Sequence, residues 1–364
     1  YQEALTTAQQ MGGREGNPES AASARFLIGN SYFKLASLDK SQEIPHLQKA
    51  LEQYEKIVNE YPKSLIAAEA LFQVGVVYNR LGLRVEAGVD KSIDAFVRYA
   101  KQYPQGENAP FALYYASWGY YRLGDWDKAA SSFETLVERF SQHDLAPECL
   151  FRAGEALFNT KKFDEAMIRF QRLANRYPKS QHVDAALYSH AWSLINLHRE
   201  AEAVPIFQRI VAEYPQGKYG TQSQFTLGDY YYSLQQYDKA TEEYQRFLQV
   251  FPQDRVMVPR AQMLLANLAE IDAYSIYEKG TELFDQNKYT EAMEIFKEVV
   301  QKYPNSKTAI NARLNIAAAY QAREEYAKAR DEYLGFLREY QQNSDFSQQV
   351  EFAKAQLEEL KKVL

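Results

Sequence analysis

Three histidines recur at a regular interval, and histidine is a residue type that can bind metal ions. His182, His190 and His198 lie eight residues apart. Imidazoles are common zinc ligands, but two ligands on one helix normally lie three or four residues apart, so that they share a face. We therefore interpret these histidines as surface or capping residues and predict no metal site.

A second pattern resembles that of a nucleophilic serine. Ser37-Leu38-Asp39-Lys40 has Ser-x-x-Lys spacing, but it lies in a polar stretch without the companion motifs of that chemistry. The sequence has no glycine-rich phosphate loop and no His-Glu-x-x-His motif. Its single cysteine, Cys149, excludes an internal disulfide and a multi-cysteine metal site. We predict no catalytic residue and no cofactor, and hence a protein that is not an enzyme.

Composition narrows the classes of partner. The 364 residues are 46% hydrophobic and 25% charged, with a net charge of -6. This is enough apolar material for a large core, whereas a nucleic-acid surface needs clustered lysine and arginine, and no long basic run is present. No stretch approaches the ~18 consecutive apolar residues of a membrane helix. We expect protein partners, no nucleic acid, and no membrane span in this chain.

Aromatic residues at a fixed interval reveal a repeat. Tyr103, Phe140, Tyr177, Tyr214 and Phe251 are each separated by 37 residues, and a proline follows most of them. A small residue precedes each by eleven positions, with Phe or Tyr four residues after the small one. Apolar residues within each unit recur at helical spacing, which predicts a helix, a short turn and a second helix.

These residues resemble the tetratricopeptide repeat. Gly154, Leu157, Ala166, Phe170 and Pro178 match its motif one by one. The resemblance covers nearly the whole chain. It implies an all-α fold, a right-handed superhelical solenoid of antiparallel helix pairs, which binds other proteins through extended or helical segments.

The repeats are longer than the usual 34 residues and end in Tyr-Pro-x-Ser/Gly, as at 177–180 and 303–306. This ending resembles a bacterial envelope subgroup, which includes the periplasmic TolA-binding coordinator of envelope constriction and the lipoprotein of the outer-membrane β-barrel assembly machinery. The resemblance implies a periplasmic location, with association to the outer membrane as one form of it. A cytoplasmic location is the alternative.

The predicted organisation has four parts. Residues 1–13 resemble the second helix of a truncated repeat, so we expect further chain before Tyr1. Asn17 and Pro18 suit the start of a new helix, and an array over 18–252 carries insertions near 37–46 and 83–88. A second sub-array, 253–340, begins with an extended helix, and 344–364 forms a capping helix.

In the tetratricopeptide fold the first helix of each pair lines the inner groove, which gives a set of candidate partner-binding residues. Trp and Tyr are favoured interface anchors; the alternative for each aromatic is packing between neighbouring first helices. The two acidic candidates either pair with Lys or Arg of a partner or are simply solvated. The candidates are Tyr114, Trp118, Tyr121, Phe151, Glu155, Phe158, Tyr188, Trp192, Phe225, Asp229 and Tyr232.

The sequence thus predicts a non-catalytic protein–protein interaction scaffold. The leading hypothesis is a periplasmic cell-envelope adaptor that binds partner segments in an aromatic-lined concave groove. Alternatives are a cytoplasmic assembly scaffold or chaperone-like adaptor, and a regulatory repeat module of a larger protein. Self-association through the tyrosine-rich faces is a further option.

Overall fold

The computed structural model describes residues 17–82 and 87–364. All regular structure in these residues is helical, as predicted: 17 α-helices and two short 3₁₀ helices. The chain divides into two compact units, the first ending at Gly220 and the second covering Thr221–Leu364. No helix in the described ranges is long and apolar enough to cross a membrane.

In the first unit, successive helices form antiparallel pairs. They are α1 (Pro18–Leu38), α2 (Glu43–Glu60), α3 (Ala67–Gly82), α4 (Ala87–Gln102), α5 (Ala109–Arg122), α6 (Trp126–Arg139), α7 (Ala146–Asn159), α8 (Phe163–Arg176), α9 (Val183–Asn196) and α10 (Glu200–Glu213). Asn17 caps α1, because its side chain accepts a hydrogen bond of 2.9 Å from the backbone N–H of Glu19.

The second unit continues the pairing and contains one long helix. Its elements are α11 (Gly220–Ser233), which starts at the division between the units, α12 (Tyr237–Val250), α13 (Met257–Asp285), α14 (Tyr289–Lys302), α15 (Lys307–Ala322), α16 (Tyr326–Tyr340) and α17 (Ser347–Leu360). The 29 residues of α13 form an unbroken helix, and α17 buries Val350, Ala353 and Leu360 against the preceding pair.

The core of each pair contains the small residue of the motif and the aromatic residue four positions after it. Ala166 and Phe170 on α8 are fully buried. Gly154 on α7 faces the Phe170 ring so closely that a Cβ at Gly154 would lie 2.6 Å from Phe170 Cε1. The small residue therefore lets the helices of a pair approach across an aromatic ring, which confirms the predicted repeat fold.

The Tyr-Pro-x-Ser ending ties one pair to the next. The backbone N–H of Ser180 donates to the Tyr177 carbonyl at 2.9 Å, which closes the turn before α9. The Tyr177 hydroxyl donates to the carbonyl of Ser141 at 2.8 Å, in the corresponding turn one repeat earlier. A side-chain hydrogen bond thus joins these two successive turns.

The predicted organisation meets the structure in several places. Near 37–46, α1 ends at Leu38, a 3₁₀ helix covers Lys40–Gln42 and α2 begins at Glu43. Residues 1–13, and 83–86 of the second insertion, lie outside the described residues. The boundary at 252/253 remains a prediction; it falls just before α13, whereas the compact units divide after Gly220.

The three histidines have different environments. His182 precedes α9 and stacks on Phe151, with ring centroids 5.5 Å apart, and His198 is exposed in the turn after α9. His190 is 8% exposed, so its interpretation as a surface or capping residue is wrong: its position on α9 faces the core. In the described part of the chain, no group of three or more His, Cys, Asp or Glu residues could hold a metal ion.

The buried imidazole predicts a pH dependence of stability. Burial, with a smaller contribution from Arg199, lowers the pKa of His190 from 6.5 to about 4. The contribution of His190 to the free energy of unfolding is therefore fully present above pH 6.5. It is lost as the pH falls towards 4, because over this interval only the unfolded chain takes up the proton. Between pH 7 and pH 5 this loss is about 2 kcal/mol in the free energy of unfolding.

Urea unfolding at both pH values measures this loss. Tryptophan fluorescence reports the unfolding of the first unit, because all three tryptophans lie before Gly220. His190→Leu should remove most of the difference between the two pH values, whereas His198→Asn, which replaces the exposed histidine, should retain it. An equal pH dependence in wild type and His190→Leu would show that His190 is not its source.

Candidate functional site

Three aromatic candidates share one face of α5. Tyr114, Trp118 and Tyr121 follow each other at helical spacing and are all half-buried. Ring centroids of Tyr114 and Trp118 lie 6.2 Å apart, and those of Trp118 and Tyr121 lie 5.2 Å apart, in edge-to-face contacts. The α5 face is therefore a continuous, partly open aromatic surface.

A cavity opens between the first helices of three successive pairs in the first unit. It has a volume of about 260 Å³ and brings together five of the predicted partner-binding residues. We call it the aromatic pocket; its lining residues are Tyr121 of α5, Glu155, Phe158 and Asn159 of α7, Phe170 of α8, and Tyr188, Ser189 and Trp192 of α9.

An arginine that the sequence did not single out organises the neighbouring surface. The Arg152 guanidinium carbon lies 5.1 Å from the Trp118 ring centroid. Its Nη1 donates to Glu155 Oε2 at 2.7 Å, and its Nε lies 3.7 Å from Glu148 Oε1. Glu155 is thus already in an ion pair rather than simply solvated. Arg152 follows Trp118 by 34 residues, three fewer than the 37-residue repeat in this part of the chain, so the repeat period gave no signal for this contact.

Two predicted contact residues are core residues instead. Phe151 and Phe225 are 6% and 3% exposed. Phe151 packs on Phe170 with ring centroids 5.8 Å apart, and Phe225 packs on Tyr244 and Phe247 at 5.4 Å each. Both phenylalanine rings point into the hairpin, so neither is available to a partner.

Tyrosines at the same register stay half-exposed. Tyr114 donates its hydroxyl hydrogen to Glu148 Oε1 at 3.2 Å, which draws its tip to the surface. Tyr188 stacks on Tyr219 at 4.5 Å between centroids. The polar tip of tyrosine explains why these two positions remain accessible while the phenylalanines do not.

Burial also fixes the charge state of the phenols. It raises the pKa of Tyr121, with the Glu155 carboxylate adding to the effect and Arg152 opposing it. Burial likewise raises the pKa of Tyr114. Both hydroxyls therefore stay neutral at physiological pH and can donate or accept hydrogen bonds.

The remaining candidates belong to the second unit. Asp229 Oδ1 accepts a hydrogen bond of 2.6 Å from the Tyr244 hydroxyl, and Oδ2 lies 3.4 Å from Nη2 of Arg260. The Arg260 guanidinium carbon lies 4.7 Å from the Phe225 ring centroid. Tyr232 is half-buried and packs on Tyr237 at 5.9 Å between ring centroids. Asp229 therefore has an intramolecular cation as its partner.

Comparison with known families agrees with this architecture. A model described as tetratricopeptide repeat matches residues 116–181, and one described as outer membrane lipoprotein matches 184–264 and 269–353. The chain is a tetratricopeptide-repeat protein. Its residues beyond 184 resemble the outer membrane lipoprotein family, which agrees with the envelope subgroup indicated by the Tyr-Pro-x-Ser/Gly ending.

Solved structures with similar folds include other repeat proteins. A tetratricopeptide repeat protein from Parabacteroides merdae is 13% identical, with a TM-score of 0.40, over 80% of this chain and 98% of that one. The MamA protein of Desulfovibrio magneticus RS-1 is 16% identical, with a TM-score of 0.38, over 51% of this chain and 97% of that one. Likenesses this distant have no bearing on function. No curated protein sequence matches the chain significantly.

The repeat family and the lipoprotein model together indicate a protein–protein interaction scaffold with a connection to the cell envelope. Families of this kind are typically non-catalytic.

Proposed function

We propose that this repeat protein is a periplasmic adaptor of the bacterial cell envelope, which binds segments of partner proteins on the first-helix face of its first unit. The observation that carries the proposal is the aromatic pocket, where side chains of α5, α7 and α9 converge on one opening. The match of residues 184–264 and 269–353 to the outer membrane lipoprotein model supports the envelope location.

The pocket suits a side chain of a protein segment better than a free small molecule. Its 260 Å³ is below the roughly 300–1,000 Å³ of typical small-molecule sites. The α5 face beside it extends the aromatic surface, so a bound segment can contact Tyr121 as well as Trp192. Each fully covered aromatic side chain contributes about 1.5–3 kcal/mol, so a few contacts suffice for micromolar affinity before ordering costs are subtracted.

Site-specific photocross-linking in the native bacterium tests the proposal. We would place p-benzoylphenylalanine at Tyr188, in the pocket, or at Ile168, which is 51% exposed on the second helix α8. The expected result is cross-linking of position 188 to periplasmic or outer-membrane proteins, identified by mass spectrometry, with little cross-linking from 168. The benzophenone at 188 retains an aromatic ring, so the pocket lining is largely preserved.

Three outcomes would count against the proposal. Equal cross-linking from both positions would show that the first-helix face has no special role. Adducts with cytoplasmic proteins alone would favour the cytoplasmic scaffold. Adducts only with a second copy of the chain would replace partner binding by self-association.

A further inference from the structure

Several cations in the described residues cover an aromatic ring while paired with a carboxylate, and in two of these contacts the carboxylate directly follows the small residue of a repeat. In the first unit, Arg152 of α7 lies over Trp118 of α5 and is paired with Glu155. In the second unit, Arg260 of α13 lies over Phe225 of α11 and is paired with Asp229. Each carboxylate directly follows the small residue of its repeat, Gly154 or Gly228. A guanidinium between a ring and a carboxylate is therefore a recurrent contact among the first helices.

Trp192 has the same place in its repeat as Trp118, but no guanidinium in the described part of the first unit lies over its ring. Both tryptophans directly follow the small residue of their repeat, after Ser117 and Ala191. No lysine or arginine among the described residues of the first unit lies over the Trp192 ring, and its buried indole Nε1 has no hydrogen-bond partner among those residues.

The pocket in front of Trp192 contains the other groups of this contact, namely aromatic rings and a carboxylate. Tyr121, Phe158 and Tyr188 add three rings, and Glu155 adds a carboxylate. Two carboxylates, Glu148 and Glu155, surround the single guanidinium of Arg152, which leaves one net negative charge beside the pocket. Arg152 donates a hydrogen bond to Oε2 of Glu155. No donor in the described part of the chain makes a hydrogen bond to Oε1 of Glu155.

We propose that the aromatic pocket takes an arginine side chain of a partner protein, which completes at Trp192 the contact that Arg152 makes at Trp118. This inference rests on the proposed function and names the residue that the pocket selects. The guanidinium stacks on the rings and faces Glu155, while its aliphatic stem covers the apolar lining.

Arginine fits this pocket better than lysine or an apolar side chain. A planar guanidinium stacks on aromatic faces and still directs N–H groups at a carboxylate, and it is more weakly hydrated than an ammonium group. A purely apolar side chain would leave Glu155, Asn159 and Ser189 without new polar partners on binding.

A pair of isosteric peptides tests the charge requirement on the unaltered protein. The probes are acetyl-Gly-Gly-Arg-Gly-Gly-amide and the same peptide with citrulline, whose neutral urea has nearly the shape of the guanidinium. Both are titrated into the full chain labelled with ¹⁵N-tryptophan, and the three indole N–H signals are assigned with Trp→Phe variants. We expect the Trp192 signal to shift most, at an arginine-peptide midpoint about fivefold or more below that of the citrulline peptide.

Glu155→Gln should remove most of this preference for arginine. The matched control is Glu213→Gln, which removes a carboxylate that is also paired with an arginine of its own helix, Arg209 at 3.0 Å, but lies outside the pocket lining. Equal midpoints for the two peptides, or no shift of the Trp192 signal, would overturn the inference. If cross-linking from Tyr188 succeeds while the peptides bind equally, the proposed function stands and only the arginine assignment fails.

Discussion

Replacing Gly154 with alanine is expected to destabilise the first unit by about 1–3 kcal/mol, although the same change normally favours a helix by about 1 kcal/mol. The added Cβ would lie 2.6 Å from Cε1 of Phe170 and 2.9 Å from Cδ1. Phe170 is fully buried, so its ring cannot move aside without disturbing the packing of α7 on α8. Overpacking should therefore outweigh the gain in helix propensity.

The matched control is the same substitution at Gly335 in α16. A Cβ there would meet nothing nearer than Arg338 Nη2, at 3.9 Å, so Gly335→Ala should stabilise the second unit by about 0.5–1 kcal/mol. Urea unfolding followed by tryptophan fluorescence reports the first unit, and far-ultraviolet circular dichroism reports the second as well. A change of the same sign at both glycines would contradict the assignment of Gly154 to a close helix crossing.

The repeat fold could be predicted from the sequence because its determinants are local and periodic. Gly154 and Phe170 lie 16 residues apart and contact each other within a single pair. The recurrence of this pattern along the chain is enough to define the helix pairs. The division after Gly220 had no such signal, because α11 begins at that residue and the repeat spacing continues through it.

The sequence predicted which helix face carries the site, but not how deeply each of its side chains is buried. The register placed Tyr121, Phe158 and Trp192 on the first helices, and the structure brings them into one pocket. It could not distinguish Phe151, which is buried, from Tyr188, which reaches the surface, because both have the same place in the repeat. Arg152 was missed because its role depends on contacts with two helices, and a pattern within one repeat does not contain them.

Loss of Trp192 should have the largest effect on partner binding. Trp192 is half-buried in the pocket lining, and a covered tryptophan ring buries some 150–250 Å² in an interface. Trp118 is less suitable for substitution, because removing it would also disturb Arg152 and its ion pairs. Truncation of a central aromatic anchor typically costs about 2 kcal/mol or more, or roughly 30-fold in affinity.

The most direct measurement is the affinity of the partner captured at Tyr188 for wild type, Trp192→Ala and Ile168→Ala, determined by calorimetry with circular dichroism confirming that each variant is folded. We expect at least about 30-fold weaker binding for Trp192→Ala and wild-type binding for Ile168→Ala. Wild-type affinity in a folded Trp192→Ala variant would contradict the claim that the first-helix face of the first unit binds partners.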